Sequence, residues 1–171
     1  LGQPVPPLAF PEAASGLTIR FLSEQPEHFE TVARWLYEEW SEPRGETIIV
    51  RRRQLQLQLN SIRLPIALIA LWNGQPAGTV SLRPSDLRTR PRATPWLSAL
   101  YVDPAHRGKG IGRELVWATQ ALAQWLGYSR VYLFTPDRQS FYQELGWTHA
   151  PRLPEEDRHQ PPSDVFFTEL D

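Results

Sequence analysis

The chain has 171 residues, 41% hydrophobic and 22% charged, with 7 Trp, 7 Phe and 5 Tyr; this profile excludes a disordered tail and predicts one packed core rather than two independent ones. The formal net charge of −1 removes the long-range pull toward phosphate backbones that most nucleic-acid binders use, so any anion site is local and no nucleic-acid partner is expected. With no cysteine in the chain, disulfides, thiolate metal sites and cysteine nucleophiles are excluded, which is compatible with a reducing cytoplasm.

Residues 1 to 16 carry Pro4, Pro6, Pro7 and Pro11, which break regular ladders and helices, so an irregular lead-in over the surface is expected, followed by one domain over residues 17 to 171. Leu17 to Leu22 alternates as a strand, and Pro26 to Trp40 places Phe29, Val32, Ala33, Leu36 and Tyr37 at helical spacing. Glu46 to Ile62 has a second helical pattern, with Leu55, Leu59 and Ile62 on one side and Pro65 as its end. Pro65 to Trp72 and Gln75 to Leu82 flank Asn73-Gly74, a two-residue hairpin signal, because both residues tolerate positive φ. The Pro65 to Trp72 run is also the longest apolar one, too short to span a bilayer. With no signal-peptide pattern at the start, a soluble, cytoplasmic protein without a membrane partner is expected.

Residues Arg83 to Pro95 read as a loop, Trp96 to Val102 as a fourth strand and Asp103 to Gly108 as a loop. A helix then begins at Lys109 or Gly110 and runs to about Leu126, with Ile111, Leu115, Ala118 and Leu122 on its buried side and Gly127 as its stop. Arg130 to Thr135 is a strand, Asp137 to Leu145 a short helix stopped by Gly146, Pro151 to Pro162 a long loop, and Asp164 to Leu170 a last strand.

The chemistry concentrates where strand four meets the long helix, at Arg107-Gly108-Lys109-Gly110-Ile111-Gly112. Glycines there let the backbone approach a ligand, and unpaired N–H groups at a helix N-terminus, reinforced by the helix dipole, favour a diphosphate. A Walker A loop needs wider glycine spacing and a following Lys-Ser/Thr pair. The dinucleotide fingerprint needs G-x-G-x-x-G, whereas this segment has G-x-G-x-G after a largely antiparallel run of strands. ATP by that route and NAD are both disfavoured.

This segment, preceded by Tyr101-Val102-Asp103-Pro104, resembles the [RQ]-x-x-G-x-[GA] pattern of the GNAT superfamily of N-acetyltransferases. Phe141-Tyr142-Gln143-Glu144-Leu145-Gly146-Trp147 resembles that superfamily's second motif, F-Y-x-x-x-G-[FW], at the expected distance. The resemblance implies the GNAT α/β (α+β) fold: a central mixed, mostly antiparallel sheet of about seven strands flanked by about four helices, splayed between strands four and five. It implies acetyl-CoA as co-substrate and direct transfer of its acetyl group to an amine of a small molecule, peptide or protein. Arg107 to Gly112 are then expected to bind the diphosphate, and Leu100, Tyr101 and Val102 the pantetheine arm through their main chain. Tyr142 is expected to be the general acid toward the sulfur. The family's frequent asparagine seven residues before that tyrosine is here Thr135, and Thr135 or Asp137 is expected to replace its contact. Dimers are frequent in the family, so a homodimer is compatible.

Aminolysis of a thioester also needs a base. Many relatives carry a glutamate on strand four, but Trp96 to Val102 has no carboxylate. The candidates are Asp86, Glu38, Glu39, or a water held by backbone carbonyls and Ser98; for the carboxylates the alternative reading is a solvated surface charge. Trp35, Tyr37 and Trp40 are expected either to line an acceptor pocket or to pack the core. Arg83, Arg88, Arg90 and Arg92 lie where an anionic acceptor or an acidic peptide could dock, or are solvated loop residues. His28, His106, His149 and His159 show no metal-ligand spacing, so no metal is predicted. A catalytically silent acyl-CoA-binding module is the alternative function, against which Tyr142 argues.

Overall fold

The computed structural model describes residues 8–10, 12, 15–153 and 164–171. Most of the proline-rich lead-in, including Pro4, Pro6, Pro7 and Pro11, lies outside them, as do His159 and most of the loop expected from Pro151 to Pro162. Seven strands form one sheet in the order β1-β2-β3-β4-β5-β7-β6: β1 Leu17–Phe21, β2 Ile66–Trp72, β3 Gln75–Arg83, β4 Trp96–Val102, β5 Arg130–Thr135, β6 Thr148–His149 and β7 Asp164–Glu169. All neighbouring pairs are antiparallel except β4 and β5, which are parallel.

The helices α1 (Phe29–Leu36), α2 (Ile48–Gln56), α3 (Ile111–Trp125) and α4 (Gln139–Glu144) cover the two faces of the sheet. The continuous apolar sequence of β2 follows from its position. Ile66, Leu68 and Ala70 enter the core shared with α3, while Ala67, Ile69 and Leu71 enter the core shared with α1 and α2. A strand buried on both faces has no need to alternate polar and apolar residues. The hairpin between β2 and β3 turns at Asn73 and Gly74, with φ of 48° and 79°, the conformation that their short or absent side chains permit. At Gly78 on β3 a Cβ would stand 2.8 Å from the Tyr101 carbonyl oxygen and 3.1 Å from Leu115. Only glycine lets β4 and α3 approach there.

Two elements differ from the sequence expectation. The first helix does not stay regular to Trp40; Tyr37–Ser41 forms a wider π-helical turn, and Glu42–Arg44 a 3-10 turn. Ser41 is thereby fully buried. The second helix starts at Ile48, where the Thr47 side chain accepts from the Val50 N–H, and ends at Gln56 rather than Ile62. Its expected last turn is replaced by two side chains that compete with helical bonding. Buried Gln58 accepts from the Ser81 hydroxyl at 2.6 Å, and Asn60 accepts from the N–H groups of Ile62 and Arg63 while donating to the Pro65 carbonyl. Ile62, expected on the apolar side, is therefore exposed. Phe10, from the lead-in, inserts into the core and meets Phe21 with ring centroids 5.5 Å apart.

Candidate active site

The site begins with one irregularity in β4. Thr79 pairs with Tyr101 but Ser81 pairs with Ser98, so β4 holds one more residue than β3 over this stretch, and Ala99 takes φ of 52°. This bulge re-aims the strand. Leu97 and Leu100 both pack toward α3, whereas Ala99 and Tyr101 pack toward α1. Beyond the bulge the strand parts from β5: the only β4–β5 register pair is Trp96 with Tyr132. From Leu100 to Val102 the main chain borders an opening in the sheet instead of a fifth strand.

A cavity of about 1460 Å3 occupies this opening and reaches both faces. Leu100, Tyr101, Val102, Arg107, Gly108 and Gly110 line one part of it. Ile111, Gly112, Thr135 and Tyr142 lie on the same lining, so the structure brings together Tyr142 and all the residues expected to bind the cofactor except Lys109. The Lys109 ammonium instead stands 4.7 Å from the centre of the Trp72 ring and 3.4 Å from His106 Nδ1. Arg107 Nε donates to the Val102 carbonyl at 3.1 Å, tying the loop to the end of β4.

The loop that opens α3 fits a diphosphate on physical grounds. Gly108 and Gly110 have φ of 80° and 78°, and a Cβ at either would meet nothing within 4 Å. Gly110 is the N-cap of α3 and no side chain caps that helix, so its first N–H groups and its dipole are available to an anion. Coenzyme A carries such a diphosphate. Thr135 is buried and its hydroxyl accepts from the N–H groups of Asp137 (3.4 Å) and Arg138 (3.0 Å). It therefore shapes the start of α4 and the adjoining cavity wall.

Tyr142, on α4, is buried between Phe141 and Trp147, with ring centroids 5.0 and 6.0 Å away. Burial pushes its phenol well above the ordinary tyrosine range, which favours the protonated form. Tyr101 packs against Trp35 (5.4 Å) and Trp40 (6.4 Å), and burial, with Asp103 second, raises its phenol too. Of the three aromatic residues expected near the acceptor, Trp40 lines the cavity; Trp35 is core, and Tyr37 is half-buried away from the lining.

The opposite part of the lining is charged. Asp86, in the loop after β3, faces the cavity rather than bulk solvent, accepts a hydrogen bond from the Ser98 hydroxyl, and has Arg83 Nη1 at 3.6 Å from Oδ1. Burial raises its carboxyl above the usual range, against the opposing effects of the Ser98 bond, Arg83 and Arg44. Glu39 also lines the cavity, but Glu38 is exposed outside it. The sequence pattern does not reveal Arg44, Glu46 and Arg51 as further lining residues. Arg51 Nε donates to Ser41 Oγ at 2.7 Å, a pairing that depends on the π-helical turn.

Residues 27–147 match the Acetyltransferase (GNAT) family. The chain belongs to that family. Comparison by sequence with curated proteins gives no match. Among solved structures, an aminoglycoside 6'-N-acetyltransferase complexed with coenzyme A superposes with a TM-score of 0.71 at 16% identity, over 90% of this chain and 97% of that one. An acetyltransferase from Streptococcus agalactiae gives 0.64 at 21% identity, covering 91% and 99% of the two chains. The GNAT family N-acetyltransferase YhbS from Escherichia coli, in complex with CoA, gives 0.63 at 21% identity, covering 94% and 85%. At these identities the likeness concerns the fold.

Proposed function

We propose that this protein is an acetyl-CoA-dependent N-acetyltransferase that passes the acetyl group directly to an amine. The observation that carries the reading is the continuity of one cavity from the glycine loop, through the gap between β4 and β5, to Asp86, with Tyr142 on its wall. Two similar structures were solved with coenzyme A, which supports the donor assignment. An aminoglycoside acceptor does not follow from a fold likeness at 16% identity.

In this reading the loop from Arg107 to Gly112 holds the diphosphate and the main chain from Leu100 to Val102 aligns the pantetheine arm. Thr135 shapes the wall beside it. The acceptor approaches from the side of Trp40 and Asp86. A protonated amine cannot attack, so it first yields a proton to Asp86, whose raised affinity for protons suits it to that role better than a solvated carboxylate. The nitrogen lone pair then attacks the thioester carbonyl carbon, the C–N bond forms, and the C–S bond breaks with its electron pair on sulfur. Tyr142 donates a hydrogen bond to that sulfur as charge develops. Tyr142 passes its hydroxyl proton to that sulfur and takes up the proton that the nitrogen loses as the amide forms, so the products are an N-acetyl amide and the free thiol, with the first amine proton left on Asp86.

The test is calorimetric titration with acetyl-CoA, CoA, ATP and NAD, followed by thiol release with an amine panel. Binding of acetyl-CoA and CoA alone, with amine-dependent thiol release, is the expected result. Folded protein that binds no acetyl-CoA would overturn the reading, and binding without turnover on any amine would turn it into that of a silent acyl-CoA-binding module.

A further inference from the structure

Three separate elements send an arginine to the same wall of the cavity. Arg44 comes from the turn after α1, Arg51 from α2, and Arg83 and Arg88 from the end of β3 and the loop that follows it. Three carboxylates share that wall, Glu39, Glu46 and Asp86, and they do not neutralise the arginines one for one. Arg51 Nη2 is 4.0 Å from Glu46 Oε2, beyond hydrogen-bonding distance, and that oxygen is itself buried without a hydrogen-bond partner. The Arg51 guanidinium has five N–H donors, and its one hydrogen bond to an acceptor, among the described residues, is to Ser41. Asp86 is shared between Ser98 and Arg83. Arg44 and Arg88 have no ion-pair partner among the described residues.

This arrangement is costly in the protein alone. Arg51 is buried, and desolvation first, then the nearness of Arg83, works against its charge; Glu46 opposes this in part and Arg44 adds to it. Arg83 is half-buried, while Arg44 and Arg88 are exposed at the cavity's edge; like charges so placed repel most where they are desolvated, and a bound anion relieves both the repulsion and the unfilled donors of Arg51. The wall is not uniformly basic, because Asp86 stands among the arginines. It therefore complements a zwitterion better than a simple anion, and it opposes a polycation.

We infer that the acceptor carries a carboxylate close to its amine, as an amino acid or a short acidic peptide does, with the arginine wall receiving the carboxylate while the amine lies toward Asp86. This rests on the N-acetyltransferase reading and names the acceptor class for it. Arg44, Arg51, Arg83 and Arg88 are then specificity-determining residues.

The experiment has a binding arm that needs no turnover. N-acetylaspartate, N-acetylglutamate and N-acetylalanine are titrated into the full chain, with and without saturating CoA, beside the corresponding carboxamides. The carboxylates are expected to bind about tenfold tighter or better, and an R44Q/R88Q double variant of unchanged melting temperature is expected to abolish that preference while keeping acetyl-CoA affinity. In the turnover arm, free amino acids, peptides beginning with Asp or Glu, amino amides and spermidine are compared by initial rate. Preference for free amino acids or for acidic peptides identifies the source of the carboxylate. Equal binding of carboxylate and carboxamide, or spermidine as the best acceptor, overturns the inference. If acetyl-CoA does not bind, the N-acetyltransferase reading fails on its own, and the titrations without CoA still decide whether the wall prefers carboxylates.

Discussion

Replacing Gly110 by alanine separates the contribution of the glycine loop to the fold from its contribution to the ligand. In the protein, Gly110 has φ of 78° and an added Cβ would meet nothing within 4 Å, so the cost is confined to the left-handed backbone, about 1 to 2 kcal/mol. The lower unfolded-state entropy of alanine offsets roughly 0.4 to 1 kcal/mol of that. The net loss of about 1 kcal/mol lowers the melting temperature by about 2 to 4 °C in a chain of this size. The effect on the donor is larger, because the methyl group stands at the N-cap of α3, on the cavity lining where the diphosphate must approach. Losing one charge-assisted hydrogen bond costs about 1.5 to 3 kcal/mol, or roughly ten- to a hundredfold in Kd. G78A is the contrasting variant: its Cβ would stand 2.8 Å from a backbone oxygen, so it should cost about 1 to 3 kcal/mol in stability by overpacking. Calorimetric titration of CoA and thermal melts of both variants supply the readouts. Folded G110A protein that binds CoA within twofold of the parent would refute the role given to the loop.

Three further outcomes are expected. Y142F, which removes a hydroxyl and keeps the ring packed between Phe141 and Trp147, should lower kcat by about 10² to 10⁴ with acetyl-CoA Kd unchanged, measured by pre-steady-state thiol release and calorimetry. D86N should abolish most of the amine-dependent rate without loss of fold. The raised carboxyl of Asp86 contributes stability that is fully present below its unfolded pKa and is lost as pH rises through the folded value, so melts against pH should show D86N gaining on the parent toward neutral pH and matching it in acid. S41A takes away the close acceptor of the buried Arg51 guanidinium at 2.7 Å and should cost about 1.5 to 3 kcal/mol in urea unfolding; a loss below about 0.5 kcal/mol would show that Arg51 is held by other means.

The hairpin at Asn73-Gly74, the fourth strand and the buried side of α3 were legible because local chemistry decides them. Positive φ, a short run of aromatic and apolar residues, and a 3.6-residue repeat need no knowledge of distant residues. Ile111, Leu115, Ala118 and Leu122 are all buried as the repeat requires. The bulge at Ala99 was not legible, since alanine has no preference for φ of 52° and takes it only because β3 and β4 pair out of step. The early end of α2 likewise depends on Gln58 meeting Ser81, 23 residues away. At the site, the glycine loop and Tyr142 lay in contiguous motifs. The charged wall did not: a solvated arginine and a cavity arginine look alike until Ser41, Asp86 and Ser98 are brought beside them.

The gap between β4 and β5 also bears on how the protein assembles. Strands β1 to β4 come from residues 17–102 and strands β5 to β7 from residues 130–169, so the sheet consists of two sequence-contiguous blocks that meet at Trp96 and Tyr132, with the Tyr132 N–H donating to the Pro95 carbonyl at 3.0 Å. Pairings inside the blocks are themselves long-range, Leu17 with Trp72 and Arg130 with Glu169, so neither block forms from local contacts alone, while the two blocks meet through the one register pair of Trp96 and Tyr132. The cavity along that seam is lined by Asp86, Tyr142 and the glycine loop apart from Lys109. The active site is therefore completed only when the two halves dock, and the backbone amides along the seam should open to hydrogen exchange at lower free energy than those of β2 and β3.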